Sequence, residues 1–170
     1  GKIYSGCRGT AGEIGYFYSS REEFRTSPVK PFQLGCLEQR ISGKAVQDRL
    51  DEFLDTGGGG ALAKLHQNDS ASPAGKLVFE AYRLGDVYAR TILQQAFGYF
   101  NQALCNIINL LAPELVILGG GFSLAGEVLR DLVVQDIQDR VLVMPRVEVS
   151  VLKNEASLIG GIQYLIDQTD

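Results

Sequence analysis

Residues 86–121 constrain the fold more than any other stretch of this chain. Ile92, Leu93, Ala96, Phe97, Phe100, Leu104, Ile107, Ile108 and Leu111 recur at helical spacing, so a long amphipathic helix is expected there. Asp86 stands where a side-chain oxygen can cap its first turn. Gly85 separates it from a preceding helix over residues 74–83, and Pro113 closes it. The next residues, Leu115-Val116-Ile117-Leu118, are wholly apolar and end on Gly119-Gly120-Gly121. Such a run, bounded by glycine, suits a strand buried on both faces, as in a parallel sheet. Parallel strands need a crossover, usually a helix, and the sequence supplies one. Ser123 is placed to cap a helix to about residue 139, and residues 147–152 read as the next strand. Asn154 then caps a final helix carrying Leu158, Ile162, Leu165 and Ile166. Helix, strand, helix, strand, helix predicts an α/β domain with a partly parallel sheet flanked by helices.

The first half is less regular. Residues 2–5 and 14–18 read as short strands, joined by a loop with glycines at 6, 9, 12 and 15 that threads close to other backbone. Residues 19–35 are polar, contain Pro28 and Pro31, and read as loop. A helix is expected over residues 37–54, with Leu37, Ile41, Ala45, Leu50, Phe53 and Leu54 on one face. Residues 61–66 add a helical turn or two, and 68–73 form a loop. No internal repeat is present. A length of 170 residues fits one domain, 1–170, or one lobe of a longer protein. Opening directly on a strand-like segment, the chain reads as the C-terminal part of something longer.

Composition narrows the function classes. A net charge of −4 and a pI near 5.1 give no basic stripe with which this chain could itself grip nucleic acid. No apolar run reaches membrane-span length, and residues 1–4 lack the features of a secretory signal. Three widely spaced cysteines argue against a disulfide framework and for a reducing cytoplasm. No pair has metal-ligand spacing. Cys105 belongs with the apolar face of the long helix, whereas Cys7 in the glycine loop stays ambiguous. His66, the single histidine, stands beside Gln67, Asn68 and Asp69 and reads as a solvated surface residue. No Ser-His-Asp or Cys-His set can be built around it, and no catalytic residue is assigned.

Neither the dinucleotide-binding glycine fingerprint nor the phosphate-loop pattern occurs. The Gly119-Gly120-Gly121 turn reads in two ways. It is either a place where a nucleotide or phosphate approaches bare backbone at a helix N-terminus, or only a tight strand-to-helix turn. Gly160-Gly161 falls inside the final helix, where each glycine costs about 1 kcal/mol against alanine. Close packing of a neighbour is the expected reason.

Two carboxylates stand in glycine-punctuated turns: Glu13 in Ala11-Gly12-Glu13-Ile14-Gly15-Tyr16, and Glu38 in Gly35-Cys36-Leu37-Glu38. Carboxylates displayed this way accept charge-assisted hydrogen bonds from hydroxyl-rich ligands. Taken alone, each also reads as an ordinary surface charge.

These segments resemble the C-terminal half of the ROK family of repressors, open reading frames and kinases. Ala11-Gly12-Glu13-Ile14-Gly15 is similar to its Ala-Gly-Glu-x-Gly-His motif, and Gly35-Cys36-Leu37-Glu38 to its Gly-Cys-x-Glu motif. Pro113-Glu114-Leu115-Val116-Ile117-Leu118-Gly119-Gly120-Gly121 is similar to its Pro-Glu-x-Ile-x-Leu-Gly-Gly segment, and Ala156-Ser157-Leu158-Ile159-Gly160-Gly161 to its closing helix. The resemblance implies the C-terminal lobe of an actin-like, ribonuclease-H-like two-lobed fold. It implies Glu13, Tyr16 and Glu38 as the sugar-binding positions and Gly119, Gly120 and Gly121 as the adenosine-side turn. The family's phosphate motif and catalytic aspartate precede the matched region, so this chain alone is not expected to phosphorylate anything. ATP is expected only if the full-length protein is a kinase.

The departures from the pattern carry as much weight. The motif histidine is Tyr16 here, and the first two cysteines of the family's Cys-x-Cys-Gly-x-x-Gly-Cys zinc pattern fall on Val29 and Pro31. Cys36 alone cannot hold a structural zinc, so zinc is expected to be absent, with Val29 and Phe32 filling the space. The leading expectation is the sugar-sensing C-terminal domain of a ROK-type transcriptional regulator, touching DNA only through an N-terminal helix-turn-helix outside this chain. The alternative is the C-terminal lobe of an ATP-dependent, glucokinase-like sugar kinase. A third reading is a scaffold without sugar affinity. A homodimer is expected, covering the unpaired edge left by the first strand.

Overall fold

This computed structural model describes residues 3–28, 30 and 33–167, apart from the side chains of Asn154 and Asp167. Its centre is the long helix α6 (Val87–Leu111), against which α3 (Gly43–Asp55) and α5 (Ala74–Arg83) pack, while α4 (Gly60–Asn68) packs on α5. The Asp86 carboxylate caps α6, accepting from the backbone N–H groups of Tyr88 at 2.9 Å and Ala89 at 3.0 Å. It also accepts from Leu62 N–H in α4 at 3.0 Å, so the cap docks a second helix. Val46, Leu50, Leu62, Val78 and Leu93 are fully buried where these helices meet. Phe79, Phe97 and Phe122 pack edge to face at 5.8–6.1 Å between centroids.

At the far end of α6 the chain turns through Ala112, in the left-handed region at φ 45°, and enters β1 (Leu115–Leu118). Helix α7 (Glu127–Ile137) crosses to β2 (Arg146–Val149), which pairs parallel with β1 from Leu115↔Arg146 to Leu118↔Val149. Leu129, Val133 and Ile137 are the buried residues of α7. The parallel strand–helix–strand unit is as expected, but β1 is not covered on both faces. Only Leu118 is buried, while Ile117 is 62% exposed. Among the described residues the sheet has two strands, too few to give β1 a neighbour on each side.

The first half departs further from expectation. Residues 14–18 hold a 3-10 turn, Ile14–Tyr16, instead of a strand. Residues 3–5 are not a strand either, and Lys2 lies outside the described residues. A strand exists only by pairing, and among the described residues this segment bonds to its own loop, through Ala11 N–H to Ser5 C=O at 3.1 Å. The expected loop over 19–35 contains α1 (Arg21–Thr26). Ser20 Oγ accepts from Glu23 N–H at 3.1 Å while Glu23 Oε2 accepts from Ser19 N–H at 2.7 Å, a capping arrangement. The helix expected over 37–54 is two helices, α2 (Glu38–Ile41) and α3. Ser42 is extended between them, and its hydroxyl caps α3 through Ala45 N–H at 3.2 Å.

Ser123 lies within a 3-10 turn, Gly121–Ala125, and donates to Gly120 C=O at 2.7 Å instead of capping α7. Asn154 falls in the 3-10 turn Lys153–Glu155, just before α8 (Ala156–Asp167). The close approach expected at Gly160 and Gly161 is not found: a Cβ on either would meet nothing within 4 Å. The apolar side chains of α8 are open as well, with Leu158 66% and Ile162 51% exposed. Among the described residues, no helix is long and apolar enough to cross a membrane.

Candidate functional site

The two carboxylate turns touch through their glycines. A Cβ on Gly35 would lie 2.1 Å from the Gly15 carbonyl oxygen and 2.5 Å from Tyr16 Cα. No side chain fits there, so Gly35 is required for the contact. A Cβ on Gly15 would in turn lie 3.3 Å from both Cβ and Oε2 of Glu38. The 3-10 turn bearing Glu13 therefore rests against the start of α2, whose first residue is Glu38. Glu13 is exposed, and its carboxylate is not used to cap the turn. Glu38 is half-buried.

Tyr16, between the carboxylates, donates its phenol hydrogen to the Gln33 carbonyl at 3.0 Å. On the same stretch Gln39 Nε2 donates to the Leu34 carbonyl at 2.8 Å. Arg40, at the end of α2, ties the region to the core. Its Nε donates to Glu23 Oε1 at 2.6 Å, and its guanidinium lies over the Tyr99 ring, 4.5 Å from the centroid. Burial opposes ionisation of Glu23, but the Ser19 N–H, the Arg40 guanidinium and the Ser20 N–H outweigh it and hold the carboxyl below its usual range. The roles of Glu23, Arg40 and Tyr99 were not anticipated. The Ser20-x-x-Glu23 spacing was the one available signal.

An apolar groove of about 330 Å³ runs from these turns to the glycine turn. Ile14, Ile41, Phe97, Phe100, Val116 and Gly119 are among the residues that line it. Gly120 has φ 77° and ψ −167°, which L side chains rarely adopt. A Cβ on Gly120 or Gly121 would meet nothing within 4 Å, so the surface of this turn is open to a ligand. Arg83 fixes the segment behind it by donating to the Ala125 carbonyl at 2.8 Å. Ile14, next to Glu13 in the chain, and Gly119 of the glycine turn line the same groove, whereas Tyr16 lines a separate cavity with Gln33 and Cys36.

Cys105 is buried, and burial followed by the charge of Asp136 pushes its thiol up. Cys7 is exposed. Among the described residues, no three His, Cys, Asp or Glu side chains stand where they could hold a metal ion. His66 is half-buried in the last turn of α4.

A parallel strand–helix–strand unit, a helical layer and a groove lined in part by Gly119 make up an α/β lobe of the actin-like, ribonuclease-H-like type, the fold of its solved structural neighbours. The chain belongs to the ROK family, whose sequence profile matches residues 1–168. It is 30% identical over its full length to a glucokinase from Halalkalibacterium halodurans, covering 52% of that protein. It is 24% identical to a xylose repressor from Caldicellulosiruptor bescii, with 97% of this chain and 41% of the repressor aligned. A ROK family glucokinase from Streptomyces griseus, solved with glucose and AMPPNP, superposes with a TM-score of 0.71 at 24% identity. That match covers 94% of this chain and 52% of the other. The chain spans about half the length of the relatives it matches, and those relatives include both sugar kinases and repressors.

Proposed function

We propose that this chain is the sugar-sensing C-terminal region of a ROK transcriptional regulator, with Glu13 and Glu38 accepting hydrogen bonds from sugar hydroxyls beside Tyr16. The contact of Gly35 with Gly15 carries this reading, because it sets two otherwise distant carboxylate turns side by side. Tyr16 favours sensing over phosphoryl transfer. Where the family pattern has a histidine, a phenol is committed to the Gln33 carbonyl. Sugar held by these carboxylates would bias the position of this lobe relative to the rest of the protein, and so its affinity for DNA. DNA would be held by a segment outside this chain. The alternative is the C-terminal lobe of an ATP-dependent sugar kinase, favoured by the glucokinase at 30% identity. There the open turn at Gly119–Gly121 would receive the adenosine side of ATP.

The test uses the full-length protein. Titration calorimetry with a hexose panel should give saturable binding to at least one sugar. Glu13→Gln and Glu38→Gln should each weaken it roughly tenfold or more, from the loss of charge-assisted bonds. Absence of heat with every sugar would sink the sugar reading. ATP-dependent phosphorylation of the bound sugar, without any sugar-dependent change in DNA affinity, would replace the regulator by the kinase.

A further inference from the structure

We infer that the segment carrying Gln33 and Leu34 is fastened to the carboxylate turn by hydrogen bonds, with the Tyr16 phenol as the principal tie and no metal in that role. The family pattern implies a zinc there, and the residues present do not fit one. Tyr16, Val29 and Pro31 stand where three ligands would be, leaving Cys36 as a single thiolate. The structure assigns the fastening to other groups. Tyr16 Oη donates to the Gln33 carbonyl at 3.0 Å, and Gln39 Nε2 to the neighbouring Leu34 carbonyl at 2.8 Å. One donor comes from the carboxylate turn and the other from α2, so both flanks of the glycine contact grip adjacent carbonyls of one loop. The loop's entrance is anchored separately, through α1, by the Glu23–Arg40 ion pair and the Arg40 contact with Tyr99.

Tyr16, Ser27, Lys30, Gln33, Gly35 and Cys36 line one cavity of about 250 Å³. The Cys36 thiol is therefore a reporter built into the fastening. It is half-buried, and loosening the loop opens the way to it. The inference concerns only how this loop is held, so it stands or falls independently of sugar binding.

The test uses full-length protein in a Cys7→Ser background, so that exposed Cys7 does not compete for reagent. Metal analysis should find no zinc. The alkylation rate of Cys36 should be the same with added zinc ion as with chelator. Tyr16→Phe, which removes a single oxygen, should raise that rate about two- to tenfold, the worth of one hydrogen bond. Hydrogen exchange across residues 33–36 should quicken in parallel. Gln39→Ala should have a smaller effect in the same direction, and Tyr18→Phe should have none. One zinc per chain with Cys36 protected by it would overturn the inference. So would unchanged alkylation and exchange in Tyr16→Phe.

Discussion

Asp86 concentrates more of the fold in one side chain than any other polar residue here. It is 8% exposed and satisfies backbone donors on two helices. Removing it strands the first turn of α6 and Leu62 N–H together. A lost cap costs about 0.5–2 kcal/mol and a buried unpaired N–H about 1–3 kcal/mol. Asp86→Ala is accordingly expected to destabilise the full-length protein by roughly 2–4 kcal/mol, read from urea unfolding at neutral pH. The contribution also depends on pH. Burial opposes the charge, yet the N–H groups of Ala89, Leu62, Tyr88 and Ala61 prevail and hold the Asp86 carboxyl below its ordinary value. A group whose pKa is lower in the folded state stabilises above its unfolded pKa and loses that contribution as pH falls through the folded one. The advantage of wild type over Asp86→Asn should thus be full at neutral pH and shrink below about pH 4. An advantage unchanged into strong acid would show that the carboxylate charge contributes nothing.

At the scale of elements, α6 carries an internal weakness. Gly98 lies inside it, and a Cβ there would meet nothing within 4 Å. Glycine in a helix interior is worse than alanine by up to about 1 kcal/mol, and among the described residues no packing contact requires it. Gly98→Ala should stabilise the protein by roughly 0.4–1 kcal/mol in thermal or urea unfolding. Destabilisation would mean that something outside this chain packs against that position. The helices were legible where their signals are local. The apolar spacing of α6, the cap at Asp86 and the limits of α5 needed only neighbouring residues. The single helix expected over 37–54 hides the break at Ser42, because an apolar stripe continues across it while its hydroxyl caps a new helix. Ser20 and Glu23 carried a spacing that was overlooked beneath the prolines. Residues 3–5 and 14–18 could not be judged locally, because a strand is settled by its partner. The candidate site was legible as two carboxylate motifs. Its assembly was not, since the contact of Gly35 with Gly15 is a long-range backbone approach that leaves no periodicity.

For the molecule as a whole, the distribution of apolar surface is lopsided. The helices α3 to α6 enclose a continuous core, while α8 and β1 carry large side chains outward. Leu158, Ile159, Ile162 and Tyr164 are 66%, 41%, 51% and 50% exposed, and Ile117 on β1 is 62% exposed. Single exposed apolar residues are ordinary, but several on one helix mark a surface that another body covers. Gly160 and Gly161 lie in the same helix with open space over them, which would let the covering body come close to the helix backbone. With this chain spanning about half the length of its relatives, the covering body is expected to be the remainder of the full-length protein. Leu158→Ala and Ile162→Ala separate this from a helix that is simply solvated. In full-length protein each should cost about 2–4 kcal/mol in urea unfolding, the price of truncating a buried side chain. In residues 1–170 expressed alone, each should cost no more than about 0.5 kcal/mol, as at an exposed position. Equal small costs in both would place α8 on the outer surface of the whole protein and remove the reason offered for its glycines.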